Sequence, residues 1–449
     1  MSTTLWPHQR RAVDFALPLS GAGLFLEMRC GKSLCAIELL RRWGSPLTLI
    51  CCPKSVRSTW LGQFERHAPG EFMPVLLEGS TAKKVQQIKD VRSHNKKPLC
   101  LITNYESIWR EPLDKLLMTM GLTAVINDES HRIKSVGGVA SRFLSKLGPK
   151  VRRRLNLTGT PLHHSFLDIY GQYRFLDPKI FGYSFVRFRN EYAIMGGYEG
   201  RQVLGMKQDM IDRFHERMYS IAYRCTAAEV FDDLPAQSDE DITFALSPAA
   251  MKIYKELDKE FIAYVNDCEY TVNNALTKLL RLAQLCGGTV ALEGQDPVSI
   301  DHAKADTMAD LLEDIGDEPA VVFCRFHADL DAVKASCKKL QLACGELSGR
   351  ADDLLAFQAG RFQVIACQIK SGGSGVDFSR ARLCFFYSIG ESLGDYQQAR
   401  ARLLGPDQKR PVTFFHLLAE KTVDQKIIKA IRKNANITKF IVDDMRGIT

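Results

Sequence analysis

Two α/β lobes, each wound on a parallel sheet, with a helical linker or insertion between them, are the fold the sequence predicts. Three features carry the prediction. Short apolar runs recur in the first third of the chain, GLFLEM, LTLICCP, LCLITNY, TAVINDE and RRLNLTGTP, each followed by a stretch long enough for a helix. Runs this apolar suit strands covered on both faces, as in a doubly wound parallel sheet, better than strands with one wet face. The same rhythm returns near the C-terminus in PAVVFCRF, RFQVIACQIKSGG, ARLCFFYS and RPVTFFHLL. Between the two sets, MKIYKELDKEFIAYV and ALTKLLRLAQL place apolar residues three and four apart, the spacing of an amphipathic helix. The expected division is a first lobe at 1–176, a helical middle at 177–316 and a second lobe at 317–449.

Composition agrees with that size. A chain of 449 residues exceeds one compact core, and 45% hydrophobic with 25% charged residues suits a soluble globular protein with no membrane span. The start, MSTTLWPHQRRAVDF, lacks the basic segment and long apolar core of a secretory signal. Thirteen cysteines include no CxxC pair, so neither a zinc spacing nor a disulfide framework is visible. Cysteines inside LTLICC and LCLIT read as reduced core residues, and a cytoplasmic location is expected. The net charge of +8 is compatible with a polyanionic partner without requiring one.

The first run leads into LEMRCGKSL, in which Gly31-Lys32-Ser33 precedes the helical pattern LCAIELLRRW. A helix N-terminus behind a strand offers amides and a positive dipole end to a phosphate; Lys32 can reach outer phosphates and Ser33 can ligate magnesium. The strict spacing of a phosphate-binding loop fails, because its first glycine position is Leu26. Next, TAVI delivers Asp128 and Glu129 of NDESH to a strand end, the edge where open α/β sheets bind ligands. Asp128 would hold Mg²⁺ and Glu129 would orient and deprotonate an attacking water. The plainer reading is an acidic turn capping a helix. At LTGTP, hydroxyls on a tight turn could relay the state of a nucleotide site, although TGTP alone is only a turn.

GKS, DESH and TGTP, in this order, resemble helicase superfamily 2. Longer phrases resemble its Swi/Snf-type branch of DNA translocases: LWPHQRRAVDF, CCPKSVRSTWLGQF, LITNYESI, LNLTGTPLHHSFLDIYGQYRFLDP, DLPAQ, SGGSGVDFS and QQARARLLGPDQKRPVTFFHLL. The likeness covers nearly the whole chain. It implies two RecA-like lobes, ATP with Mg²⁺ as cofactors, and double-stranded DNA as the partner. It extends the catalytic set of Lys32, Asp128 and Glu129 to His131 and Arg402, and puts Gln9 in the place of an adenine-reading glutamine. It assigns Arg29, Cys30, Gly31, Lys32, Ser33, Gly375, Asp377 and Gln398 to the nucleotide. Lys54, Thr103 and Asn104 of the first lobe, with Arg325 and Lys370 of the second, are implied on the DNA backbone, where such groups fix position without reading bases.

Two departures stand out. Arg29 occupies a glycine position of the family loop, with Cys30 beside it, so Arg29 needs positive φ or a rearranged loop, unless its guanidinium itself faces a phosphate. The family's last motif has two arginines, of which Arg402 matches the first while the second falls on Gly405. Arg400, Lys409 or Arg410 could substitute. The expected activity is ATP-driven movement on duplex DNA; the alternatives are an ATP-gated clamp with little turnover and a strand-separating helicase. The short chain, with no recognisable chromatin-reading module, suggests a phage or bacterial source.

Overall fold

The apolar runs are strands in the computed structural model of the chain, which describes residues 3–94, 96–162, 165–196, 202–230, 235–266, 272–290, 297–369, 376–390, 392–404, 408–433, 437 and 440–441. The chain divides into two compact units, 1–232 and 233–449.

The first unit contains β1 (Gly21–Leu26), β2 (Leu47–Cys52), β3 (Met73–Leu76), β4 (Leu99–Asn104), β5 (Ala124–Asp128) and β6 (Arg153–Leu157). An antiparallel hairpin of β7 (Ala193–Gly196) and β8 (Gln202–Met206) follows, and β9 (Ala222–Cys225) returns to the main sheet. That seven-stranded sheet runs β3-β4-β2-β5-β6-β1-β9, parallel throughout. Alternate residues of its strands feed separate cores. Phe25, Leu49, Cys51, Leu101 and Val125 enter one, whereas Leu24, Leu26, Ile50, Cys52, Ile102 and Ile126 enter the other. This is the period of two expected of strands covered on both faces, so the sheet is doubly wound.

In the second unit, β10 (Gln237–Phe244), the two-residue strands β11 (Thr289–Val290) and β12 (Val298–Ser299), β13 (Ala320–Cys324), β14 (Cys344–Leu347), β15 (Val364–Gln368), β16 (Leu383–Phe386) and β17 (Val412–Ala419) appear in order. The main sheet is β10-β17-β16-β13-β15-β14, again parallel. Both units have the RecA-like plan expected. The stretch 177–316 is shared between them. It is helical over Pro248–Asn266 and Val272–Cys286, whose Tyr254, Phe261, Leu279 and Leu282 join the second core, but it also supplies edge strands β9 and β10. β10, QSDEDITF, carries no apolar run because one side has no neighbouring strand and its first five residues are exposed.

Ion pairing fixes the interior of the second unit. Lys304 is 2% exposed and its ammonium lies 2.9 Å from Asp424 Oδ2, above the Tyr387 ring. Nearby Asp329, also buried, accepts from the Phe326 amide at 3.2 Å and from the Ser388 hydroxyl. Burial pushes its carboxyl up to about 6, with the Ser388 hydrogen bond and Lys304 pulling the other way. The native state therefore holds a proton that the unfolded chain has released between about pH 4 and 6, so this group makes stability fall as pH rises through that window. Relative to the parent, Asp329→Asn should gain unfolding free energy across it, by at most about 1.4 kcal/mol per pH unit. Urea unfolding of both proteins from pH 4 to 7 measures this, and a pH-independent difference would contradict it.

Candidate nucleotide and nucleic-acid site

Register brings the first lobe's motifs to one edge. Asp128 stands opposite Leu157, Leu157 opposite Leu24, Cys51 opposite Asn127 and Cys52 opposite Asn104. The strands are parallel, so the chain after β4, β2, β5, β6 and β1 emerges on the same side. Thr103-Asn104, Pro53-Lys54, Asp128-Glu129, Thr158 and the loop Glu27–Gly31 thus form one row along the C-terminal edge, the edge at which such sheets bind ligands.

The loop after β1 answers the puzzle of LEMRCGKSL. Arg29 adopts φ 67°, the left-handed conformation that the family backbone demands, at a cost of about 1 kcal/mol for a residue with a side chain. Cys30 turns its side chain into the core with no exposure, and burial pushes the thiol up to about 12. Of the residues assigned to the nucleotide, Cys30 therefore offers only its backbone to the loop. Its carbonyl accepts from Gln9 Nε2 at 3.3 Å and pairs with His8 Nε2 at 3.0 Å. Gln9 Oε1 in turn accepts from the Trp6 amide at 2.9 Å, so both ends of the Gln9 amide are engaged and the residue is buried rather than an exposed helix glutamine. Gly31 has φ 82°, a conformation that favours glycine, and a Cβ there would displace the Gln9 amide, whose Nε2 lies 2.2 Å from that point. Helix Lys32–Trp43 then begins with no side chain capping it, which leaves its first-turn amides for an anion. Lys32 Nζ donates to the carbonyls of Leu26 and Glu27 at 2.9 and 3.2 Å. Ser33 follows at the second helical position.

Asp128 and Glu129 differ in environment despite being adjacent. Asp128 is 7% exposed; its Oδ2 accepts from Trp60 Nε1 at 3.0 Å, its Oδ1 from the Glu129 amide at 3.1 Å, and its carbonyl from the Tyr105 hydroxyl at 2.8 Å. Burial, then the neighbouring Glu129 charge, raises its pKa, while Lys32 and Trp60 oppose. For Glu129, burial works upward, but the His131 hydrogen bond and the Lys32 charge prevail and hold it ionised. Glu129 Oε2 lies 3.3 Å from His131 Nδ1 and 3.5 Å from the Thr158 hydroxyl, which itself lies 3.3 Å from His131 Nδ1. Glu129 also adopts φ 53°. A strained backbone of this kind persists only where its surroundings fix it. Two adjacent carboxylates pushed in opposite directions are suited to separate tasks.

Trp60, in STWLGQF, was not assigned a role by the sequence, and it holds Asp128. Tyr105, which the family likeness places with Thr103 and Asn104 in a segment on the DNA backbone, is buried and donates its hydroxyl to the Asp128 carbonyl. Behind the carboxylates, Asn127 Nδ2 donates to Asn156 Oδ1 at 3.0 Å and Asn156 Nδ2 to the Gln172 carbonyl at 3.1 Å, all three side chains having no exposure. Polar residues inside otherwise apolar strands, as in TAVIND and RRLNL, are the signal that could have found Asn127 and Asn156.

The residues assigned to DNA differ in accessibility. Lys54 is exposed at the start of a short 3₁₀ turn, Lys54–Val56. Thr103 has no exposure, and its hydroxyl accepts from the buried Lys84 ammonium at 3.1 Å; Asn104 Oδ1 and Ser107 Oγ accept from the same ammonium at 3.0 and 2.6 Å. Thr103 thus props the turn from within instead of presenting its hydroxyl. In the second unit, Arg325 follows β13 and its amide donates to Ser388 Oγ at 2.7 Å. Asp377 Oδ1 accepts from the Ser379 amide at 2.8 Å, and Gln398 is half-buried on helix Leu393–Ala401. Arg402 is 2% exposed. Arg400 clamps Asp239 with both terminal nitrogens and lies 3.8 Å over the Phe414 ring, and Arg410 bonds Glu318 and the Arg380 carbonyl. Arg400 is thus held against β10 and β17, whereas Arg410 remains exposed. Lys370, Gly375 and Gly405 lie outside the described residues.

The chain is 24% identical over 470 residues to protein p41 of Acyrthosiphon pisum secondary endosymbiont phage 1, covering 98% of each. It is 22% identical to a DNA repair and recombination protein RAD54-like of Drosophila yakuba, covering 99% of this chain and 64% of that one. With the human SWI/SNF-related matrix-associated actin-dependent regulator of chromatin subfamily A member 1 it shares 22% over 94% of its length and 42% of the relative's. The chain therefore spans under two thirds of these two larger relatives. A Sulfolobus solfataricus SWI2/SNF2 ATPase core, solved in complex with dsDNA, aligns over 100% of this chain and 94% of that one at 19% identity and a TM-score of 0.46. A helicase conserved C-terminal domain pattern matches residues 303–404 and an SNF2-related domain pattern matches 8–289. With well over half of its length matched by the latter, the chain belongs to the SNF2-related domain family.

Proposed function

We propose that the protein hydrolyses ATP and couples turnover to movement along double-stranded DNA. The observation that carries this reading is the split carboxylate pair: Glu129, held ionised by His131 and Lys32 and 3.5 Å from the Thr158 hydroxyl, beside a buried Asp128. Glu129 would accept the proton of the attacking water, and Lys32 would leave the Leu26 and Glu27 carbonyls for the outer phosphates. Ser33 and Asp128 would hold Mg²⁺. One hydroxyl and one carboxylate suit an ion that keeps waters and substrate oxygens in its shell, and when bound it neutralises developing charge on the phosphates. His131 and Thr158, sharing Glu129, join the TGTP turn to the carboxylates. The net charge of +8, exposed Lys54 on the same edge, and relatives named for DNA repair and chromatin support a duplex DNA partner.

Steady-state ATP hydrolysis with and without duplex DNA, using Lys32→Ala as the blank, tests the proposal. Duplex-stimulated turnover well above that blank is expected; none would sink the reading. A second reading, an ATP-gated clamp with little turnover, draws on the burial of Arg402 and the commitment of Arg400 to Asp239. ATP-dependent duplex binding without turnover would favour it. Displacement of a triplex-forming strand, with a forked duplex left intact, distinguishes translocation from strand separation.

A further inference from the structure

The geometry points to Gln172 as a positioning residue that ties the carboxylate turn to the TGTP turn, an inference that rests on the proposed ATP hydrolysis. Gln172 lies on helix Asp168–Leu176 and has no exposure. Its Oε1 accepts from the Ser130 hydroxyl at 2.8 Å, and Ser130 directly follows Glu129. Its Nε2 donates to the Pro161 carbonyl at 2.7 Å, at the end of TGTP, and to the Asp168 carbonyl at 3.2 Å. Carbonyls only accept, so Nε2 must face Pro161 and Asp168, leaving Oε1 to face Ser130. One side chain therefore bridges both turns in a single orientation, with both amide donors used. The Gln172 backbone carbonyl takes a further bond from Asn156, which holds Asn127 just before Asp128.

The approach of this helix is built in. A Cβ on Gly171 would lie 2.3 Å from the Ile133 carbonyl oxygen and 2.5 Å from that of Lys134, so only glycine lets the helix seat against the turn after Glu129. Glu129 and Thr158 share a hydrogen bond across the front of the site; Gln172 joins the same two turns from behind. A rearrangement at TGTP would then carry the Glu129 turn with it, which is what matching hydrolysis to events on DNA requires of this pair.

The test compares the parent with Gln172→Met, which keeps the volume, and with Ser130→Ala/Gln172→Met, which removes both members of the buried pair so that neither Ser130 nor its partner is left unsatisfied. Amide hydrogen exchange is read in peptides spanning 128–134 and 158–162, alongside duplex-stimulated kcat and KM for ATP. In Gln172→Met, exchange in both peptides should quicken by about tenfold, as the loss of one or two hydrogen bonds allows. Duplex-stimulated kcat should fall by on the order of 10- to 100-fold with KM for ATP changed by less than about threefold, the pattern of misplaced rather than absent machinery. The double variant should recover melting temperature without recovering kcat, since the bond to Pro161 is still missing. Unchanged exchange in either peptide, or kcat restored together with melting temperature, would overturn the inference. Absence of turnover in the parent would instead count against ATP hydrolysis, while the exchange arm would still decide whether Gln172 joins the turns.

Discussion

Glu129→Gln is expected to reduce ATP turnover by on the order of 10²- to 10⁴-fold, the range that a positioned general base contributes, while nucleotide binding persists. The substitution is nearly isosteric and its remaining oxygen can still meet Thr158 and His131, so the turn at φ 53° keeps its supports. What is lost is the negative charge that Lys32 and His131 hold in place against burial. A glutamine can orient water but cannot take its proton. Single-turnover hydrolysis and calorimetric ATP binding measure the two quantities separately. A loss of turnover smaller than about threefold would remove Glu129 from the chemistry and turn attention to Asp128. Because Asp128 is raised by burial and by Glu129, neutralising Glu129 should also lower the Asp128 pKa, so the two carboxylates are best varied one at a time.

Lys304→Ala should destabilise the second unit by about 3–5 kcal/mol, the usual penalty for leaving one member of a buried ion pair alone. Lys304 and Asp424 are 2% and 7% exposed and 2.9 Å apart, and Asp424 also accepts from the Ala419 amide at 3.3 Å. Burial lowers the Lys304 pKa, but Asp424 more than compensates and the net shift is upward. The pair joins helix Ala303–Asp314 to helix Val423–Arg432, which flank the sheet far apart in sequence. Lys304→Met/Asp424→Leu should regain most of the loss, because apolar groups of similar volume need no counter-charge. Urea unfolding of the three proteins checks both statements, and a single-variant loss below about 1 kcal/mol would show that water reaches the pair.

The apolar runs of the sequence located the inner strands of both sheets, β1, β2, β4, β5 and β6 in the first and β13, β15, β16 and β17 in the second. The strands without such a run, β3 and β9, β10 and β14, are the outermost strands of their sheets. An inner strand is enclosed on both faces and both sides and so must be apolar along its length. An outer strand is partly wet, and its residues carry no comparable imprint. For that reason the boundaries drawn at 176 and 317 enclosed the inner strands, and β9 and β10 fell in the middle segment.

Arg29 illustrates the limit for the site. Its need for positive φ follows from the residue type and the loop, and the structure has it at 67°. Cys30 beside it could have faced ligand or core; only its burial in the core that holds Cys35 and Cys225 decides for the core. The placement of Lys32, Ser33, Asp128, Glu129 and Thr158 along one sheet edge was legible because position at a strand end depends on residue order along the chain. Trp60, Asn156 and Gln172 were not, because a supporting hydrogen bond depends on where a distant helix or strand brings its side chain, and any of several polar residues could serve. The sequence by itself thus determined which side chains stand at the strand ends and the enclosed strands that deliver them. Tertiary structure alone decided which polar side chains are buried against those ends, since hydrogen-bond partners far apart in the chain are chosen by packing and not by local pattern.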